Sequence, residues 1–301
     1  MRHFFIAGLA LALSGLSACT ETPIEPTEPA ADARIESAHF TVSVTGSGPD
    51  VILVPGLASS AAVWDATVAA LSDTYTLHAI QVGGFAGAAP RGNADNETIL
   101  DDLAADLVAY ANELEQPPAL VGHSLGGLVT LKAALNSSAD FERIVVIDVL
   151  PFFSVLMDDA ATAETMTPIA AFMKASLLGQ SDEIFAARQA EALSALVKSE
   201  TDLQSALEWS LTSDRAVMAQ AMSEVLVTDL REDISAITIP TTVIYARDPA
   251  ISNMDNVEAF YQDLYAPLPN GALIAIDDAL HFVMLDQPET FLGGLETALS
   301  R

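Results

Sequence analysis

An α/β fold, with a doubly wound, mostly parallel sheet and an inserted helical cap, is what this sequence predicts, and three observations carry the prediction. Short apolar runs of strand length alternate with amphipathic helical stretches as far as Arg143-Ile-Val-Val-Ile-Asp148, the pattern of a parallel sheet covered by helices. The alternation lapses between Pro151 and about Ile237, where no strand pattern is found and helical spacing prevails. It resumes at Thr241 and continues to the C-terminus. The expected organisation is a core of residues 38–150 and 238–301 interrupted by a cap of residues 151–237.

The first residues are not expected to belong to that core. Arg2 and His3 form a short basic start, Phe4 to Leu16 is an apolar run, and small residues follow, which is the layout of a secretory signal over residues 1–19. Leu16-Ser-Ala-Cys19 resembles the lipobox of bacterial lipoproteins. That resemblance implies cleavage before Cys19, lipid attachment to it, and a place in the periplasm or cell envelope. Cys19 is the single cysteine, so no intrachain disulfide can form despite the exported context. Residues 20–37 read as a disordered tether, because Pro23, Pro26 and Pro29 alternate with Glu21, Glu25 and Glu28 and large apolar side chains are nearly absent.

The folded part is expected to start at His39 to Val44, where Phe40, Val42 and Val44 alternate with smaller or polar residues as in a half-buried strand. Val51 to Val54 is a continuous apolar run of the doubly buried kind. It enters Pro55-Gly-Leu-Ala-Ser-Ser60 and then a helix with Val63, Trp64, Val68 and Leu71 on one side. A strand at Tyr75 to Val82, a Gly-rich loop from Gly83 to Asn93 and a helix over about 98–113 follow. Ala119 to Val121 leads into Gly122-His-Ser-Leu-Gly126, and Leu125 to Leu135 is a good helix-forming run. After the cap come a strand at Thr241 to Tyr245, a helix at Val257 to Tyr265, a strand at Ala272 to Ile276 and a closing helix from about Pro288 to Leu299. Five of the eight methionines fall in the cap, and Met218 and Met222, four apart, share a helix face, as core packing or as a substrate contact. Trp209 and Phe172 carry the same two readings.

Composition excludes several classes of function. With 12 basic against 41 acidic residues the net charge is −29, so a phosphate-backbone partner has no clustered Lys and Arg to meet it, and neither has an anionic membrane surface. Hydrophobic residues make up 51% of the chain, yet no run reaches the ~20 apolar residues of a spanning helix. Membrane association is therefore expected only through a lipid at Cys19. The five histidines are dispersed and no Cys/His cluster has ligand spacing, so no metal is expected. Gly83-Gly-Phe-Ala-Gly87 lacks dinucleotide-loop spacing and runs into more loop; no cofactor is expected.

The chemistry centres on Ser124. A Gly-x-Ser-x-Gly turn between a strand and a helix is the context of a strained nucleophile elbow, with Gly122 and Gly126 admitting backbone where a Cβ would collide. A serine hydroxyl needs a base within hydrogen-bond reach and a third group to hold that base in the right tautomer. His281 follows the last strand and so reaches the sheet edge that carries Ser124; it is the expected general base. His123, beside the serine, is expected to point to the other side of the turn. For the acid, Asp248 at the end of the penultimate strand is preferred, with Asp148, also at a strand end, as the rival. The oxyanion donors are expected to be the N–H groups of Leu125 and Leu57.

Residues 38–300 resemble the α/β-hydrolase superfamily with a helical cap. The matching pieces are Val51-Ile-Leu-Val-Pro-Gly-Leu57, Gly122-His-Ser-Leu-Gly-Gly127, Asp248 and Leu280-His-Phe-Val-Met-Leu-Asp-Gln-Pro288. The last run is similar to the histidine motif of the esterase and proline-iminopeptidase-like branch. Pro55 stands where many members have a His in the oxyanion loop, and Leu280 where a Gly usually precedes the catalytic His. The resemblance implies a cofactor-independent serine hydrolase acting on a small ester-like substrate through an acyl-enzyme. An iminopeptidase or amidase, and a non-catalytic ligand-binding surface lipoprotein on the same scaffold, are the alternatives.

Overall fold

The computed structural model of the protein describes residues 34–248 and 256–301. The expected signal, Cys19 and the tether as far as residue 33 lie outside the described residues. Strands β1 (Arg34–Glu36), β2 (Phe40–Gly46), β3 (Asp50–Val54), β4 (Thr76–Val82), β5 (Ala119–His123), β6 (Arg143–Ile147), β7 (Thr241–Arg247) and β8 (Gly271–Asp277) form one eight-stranded sheet in the order β1-β2-β4-β3-β5-β6-β7-β8. The pairs β1–β2 and β2–β4 are antiparallel and the rest are parallel. β1 falls where the sequence predicts tether; its backbone pairs with β2, which would otherwise be the sheet's bare edge.

Helices α1 (Asp65–Leu71), α2 (Ile99–Ala111) and α3 (Leu125–Asn136) lie in the crossovers before β6. Four helices form the insertion between β6 and β7: α4 (Ala163–Leu178), α5 (Asp182–Ser194), α6 (Glu200–Thr212) and α7 (Arg215–Val227). Each begins at a side-chain cap, Thr162, Ser181, Ser199 and Asp214 in turn, which satisfies N–H groups that have no partner inside the helix. Beyond β7 come α8 (Val257–Tyr265), the short α9 (Val283–Asp286) and α10 (Pro288–Leu299). No helix among the described residues is long and apolar enough to cross a membrane.

Strand residues alternate between two cores because successive side chains point to opposite faces. Ile52 and Val54 pack with Leu103 and Leu107 of α2, Leu128 and Leu131 of α3 and Tyr261 of α8. Val51 and Leu53 pack with Leu71 of α1 and Phe291 and Leu295 of α10, with Trp64 between them. Covering both faces explains why these strands read as continuous apolar runs rather than as alternation. It also leaves the carboxyl ends of the central strands as the edge where loops can carry chemistry.

The strands do not end level at that edge. His123 pairs with Ile147, and Ile147 with Ile244, so Ser124 and Asp148 each stand one residue past the same rung. β7 runs on to Arg247, paired with Asp277 of β8. Asp248 is therefore carried about 10 Å further out, three residues at ~3.3 Å each.

Candidate active site

At the end of β5 the backbone of Ser124 adopts φ 54° and ψ −122°, a region that costs a non-glycine residue on the order of 1–3 kcal/mol and is held only when its surroundings enforce it. The enforcement is visible. The Ser124 N–H donates to the Ile147 carbonyl at 2.9 Å, a Cβ on Gly122 would lie 2.2 Å from the Gly126 oxygen, and a Cβ on Gly126 would lie 2.4 Å from the Val54 oxygen. The turn closes only because both flanking residues are glycine.

The loop after β3 approaches the serine from the other side. A Cβ on Gly56 would sit 3.1 Å from Ser124 Cβ, and Ser59 N–H closes a turn on the Gly56 carbonyl at 3.2 Å, with Ala58 at φ 54°. The Leu57 N–H makes no hydrogen bond among the described residues, and Leu125, as the first residue of α3, has no partner inside its helix. Both N–H groups expected from the sequence to receive an oxyanion are thus without an acceptor among the described residues.

His281 is oriented by Asp148, not by Asp248. Its Nδ1 donates to Asp148 Oδ2 at 2.7 Å. The other oxygen, Oδ1, accepts the Ala246 N–H at 2.9 Å and the Tyr261 hydroxyl at 3.1 Å. Asp148 has φ 46° and its N–H is anchored on the Ile244 carbonyl at 2.8 Å, so the carboxylate itself is held as rigidly as the serine. Burial pushes this carboxyl up, but the hydrogen bond and charge of His281, with the Ala246 N–H, outweigh burial and hold it below the usual carboxylate range. A charged acceptor on Nδ1 fixes the proton there and leaves Nε2 with its lone pair. Asp248, preferred from the sequence, instead faces the cap: its Oδ2 lies 2.5 Å from Lys198 Nζ. The reason is the overhang of β7, which lifts Asp248 past the level of Ser124 while β6 stops in time to leave Asp148 there.

Two contributors escaped the sequence reading. Tyr261 lies on the buried face of α8 with Tyr265; burial and then the nearby Asp148 charge raise its pKa well above the ordinary value, so it is a committed donor. The i, i+4 spacing of the two tyrosines was its only trace in the sequence. His123 does not turn away from the reacting edge. Its ring is fully buried, packs on the His281 ring at 4.6 Å between centroids, and its Nε2 donates to the His281 carbonyl at 2.9 Å. Burial first and His281 second push its pKa down to about 3, so it is neutral, with the proton on Nε2 because a carbonyl can only accept.

The cap meets this edge at two turns. Between α6 and α7, Asp214 N–H donates to the Gly84 carbonyl at 2.7 Å and Ser213 Oγ accepts the Ala86 N–H at 2.9 Å. Between α5 and α6, the Leu196 carbonyl accepts the Phe282 N–H at 3.2 Å. Phe185 and Met218 of the cap join Ala58, Leu57 and Leu177 in a small apolar cluster beside the Gly56 loop. Met218 thus packs at that loop, whereas Met222 and Trp209 lean on the larger cores and Phe172 is 73% exposed. No group of three or more His, Cys, Asp or Glu side chains able to hold a metal occurs among the described residues.

Comparison with known proteins bears on the family and the fold. The sequence model of the "Alpha/beta hydrolase family" matches residues 51–293. The chain is similar to the pimeloyl-[acyl-carrier protein] methyl ester esterase of Aliivibrio fischeri, 26% identical over 270 residues, covering 85% of this chain and 95% of that one. It is similar in fold to a hydrolase from Pseudomonas aeruginosa, at TM-score 0.74 and 20% identity over 91% of this chain and all (100%) of that one. An enol-lactonase from Burkholderia xenovorans superimposes at TM-score 0.70 and 17% identity, over 87% and 96% of the two chains.

Proposed function

The chain belongs to the alpha/beta hydrolase family, and from that premise we propose that it is a serine esterase working through an acyl-enzyme. Ser124 Oγ attacks the ester carbonyl while His281 Nε2 takes its proton; the same imidazolium then protonates the departing alcohol. Asp148 keeps Nδ1 protonated and stabilises the charge that His281 acquires. The N–H groups of Leu57 and Leu125 receive the oxyanion, and water activated by His281 releases the acid in a second, mirrored step. The observation that carries the reading is the 2.7 Å bond from His281 Nδ1 to a carboxylate whose second oxygen is already filled, at the sheet edge that also carries a serine in a strained turn.

Ester cleavage is favoured over a pure binding role by that constellation, since binding a ligand calls for neither a fixed tautomer nor two uncommitted N–H donors. The methyl ester named for the Aliivibrio fischeri relative points to a carboxylic ester with a small alcohol. The cluster of Leu57, Phe185 and Met218 supports an apolar acyl chain. The test is turnover of p-nitrophenyl butyrate by the full chain. Steady release of nitrophenol that disappears in Ser124→Ala supports the reading; equal turnover by Ser124→Ala would sink it.

We also propose that the chain is exported and anchored by a lipid on Cys19, on the signal layout and lipobox-like Leu16-Ser-Ala-Cys19. Feeding cells an alkyne fatty acid should label the protein, and Cys19→Ser should lose the label; label retained in that variant refutes the anchor.

A further inference from the structure

The segment that carries His281 is gripped on both sides by a single turn of the cap. On one side, the Phe282 N–H donates to the Leu196 carbonyl at 3.2 Å. On the other, Asp286 bridges: its Oδ2 accepts the Leu280 N–H at 2.7 Å and its Oδ1 accepts the Lys198 N–H at 2.9 Å. Val197 of the same turn is buried in the core that also holds Phe282, Val283 and Met284. The Lys198 ammonium then reaches Asp248 Oδ2 at 2.5 Å and also pairs with Asp278. One turn of the insertion therefore touches the ends of β7 and β8 and Phe282 directly, and reaches Leu280 through Asp286.

We propose that Asp286 is a positioning residue for His281, joining the α5–α6 turn of the cap to the backbone beside the base so that the seating of the cap sets the aim of the imidazole. The inference rests on the reading of His281 as the general base. The residues before and after His281 have their N–H groups committed, and its carbonyl is held by His123, which leaves its Cα little freedom and makes the direction of its side chain depend on these bonds. A carboxylate accepting backbone N–H groups makes bonds stronger than neutral ones, and here each oxygen serves a different part of the molecule. The alternative, a carboxylate that merely caps a turn, would engage only neighbouring residues; Lys198 is 88 positions away. Asp248 gains a role by the same argument: with Asp278 it holds the Lys198 side chain and so keeps the turn against the core.

The experiment compares Asp286→Ala, Asp286→Asn and His281→Ala in the full chain. Its readouts are kcat and KM on p-nitrophenyl butyrate, the thermal midpoint, and the downfield proton resonance of the His281–Asp148 hydrogen bond. Asp286→Ala is expected to lower kcat about 10- to 100-fold, as a misaimed group does, with KM within about threefold and the downfield resonance broadened or lost. Asp286→Asn, which keeps one acceptor oxygen and the same shape, is expected to fold even if the alanine variant does not, and to recover part of kcat and of the resonance. A folded Asp286→Asn or Asp286→Ala with wild-type kcat and an unchanged resonance, while His281→Ala is inactive, overturns the positioning role alone. A His281→Ala protein that still turns over the ester overturns the base assignment and the positioning role with it.

Discussion

Replacing Asp148 by Asn separates the two carboxylates that end adjacent strands, and the outcome can be worked from the hydrogen bonds. Oδ1 of Asp148 accepts two donors, the Ala246 N–H and the Tyr261 hydroxyl. An asparagine will keep its carbonyl oxygen there and turn its NH₂ toward His281. Two donors then face each other, and His281 escapes by moving its proton from Nδ1 to Nε2, the nitrogen that must be free to accept from Ser124. The wrong tautomer costs about 10⁴-fold in kcat, or roughly 5–6 kcal/mol of barrier, while the fold survives because the buried donors keep their acceptor. Asp148→Ala, by contrast, orphans both donors at about 1–3 kcal/mol each and is expected to melt earlier as well. Asp248→Asn leaves the His281 bond untouched and is expected to stay within about tenfold of wild-type kcat. The assay is initial-rate hydrolysis of p-nitrophenyl butyrate by the two asparagine variants, with melting curves. Asp148→Asn within tenfold of wild type, or Asp248→Asn falling as far as Asp148→Asn is expected to, would refute the assignment of the acid.

Two further outcomes follow from groups around that centre. His123 has a folded pKa near 3, below the ordinary 6.5, so between those values the unfolded chain binds the proton and the folded chain does not; stability falls as pH drops from about 6.5 toward 3, by up to an order of 5 kcal/mol. His123→Gln keeps an N–H donor for the His281 carbonyl and cannot be protonated, so its unfolding free energy, measured by urea titration at several pH values, should vary less over that window. Glu224 of α7 accepts the Ile99 and Leu100 N–H groups at 3.0 and 2.8 Å, capping α2 from the cap; Glu224→Ala should cost about 1–3 kcal/mol, read as a lower thermal midpoint by calorimetry.

How much of this was legible in the chain depends on the kind of information each residue carries. The elbow could be read because its chemistry is local: Gly122 and Gly126 answer steric contacts of a turn that any strand-to-helix nucleophile requires. The break between β6 and β7 could be read because the strand pattern stops and restarts. The carboxylate that bonds His281 could not be chosen on chain order, since Asp148 and Asp248 both precede His281 and both follow a strand of the parallel sheet. What decides between them is the stagger of the strand ends, and strand length past the last paired rung leaves no trace in an apolar run. Nor could His123 be placed, because the direction of its side chain follows from the register of β5, of which it is the last residue, and an apolar run does not mark that register.

Whether Ser124 is a nucleophile activated at this sheet edge is decided by reacting the full chain with a fluorophosphonate and locating the adduct by peptide mass spectrometry. One adduct is expected, on the peptide containing Ser124, formed much more slowly in His281→Ala and in Asp148→Asn. An adduct on another residue, or labelling at the wild-type rate in both variants, would contradict it.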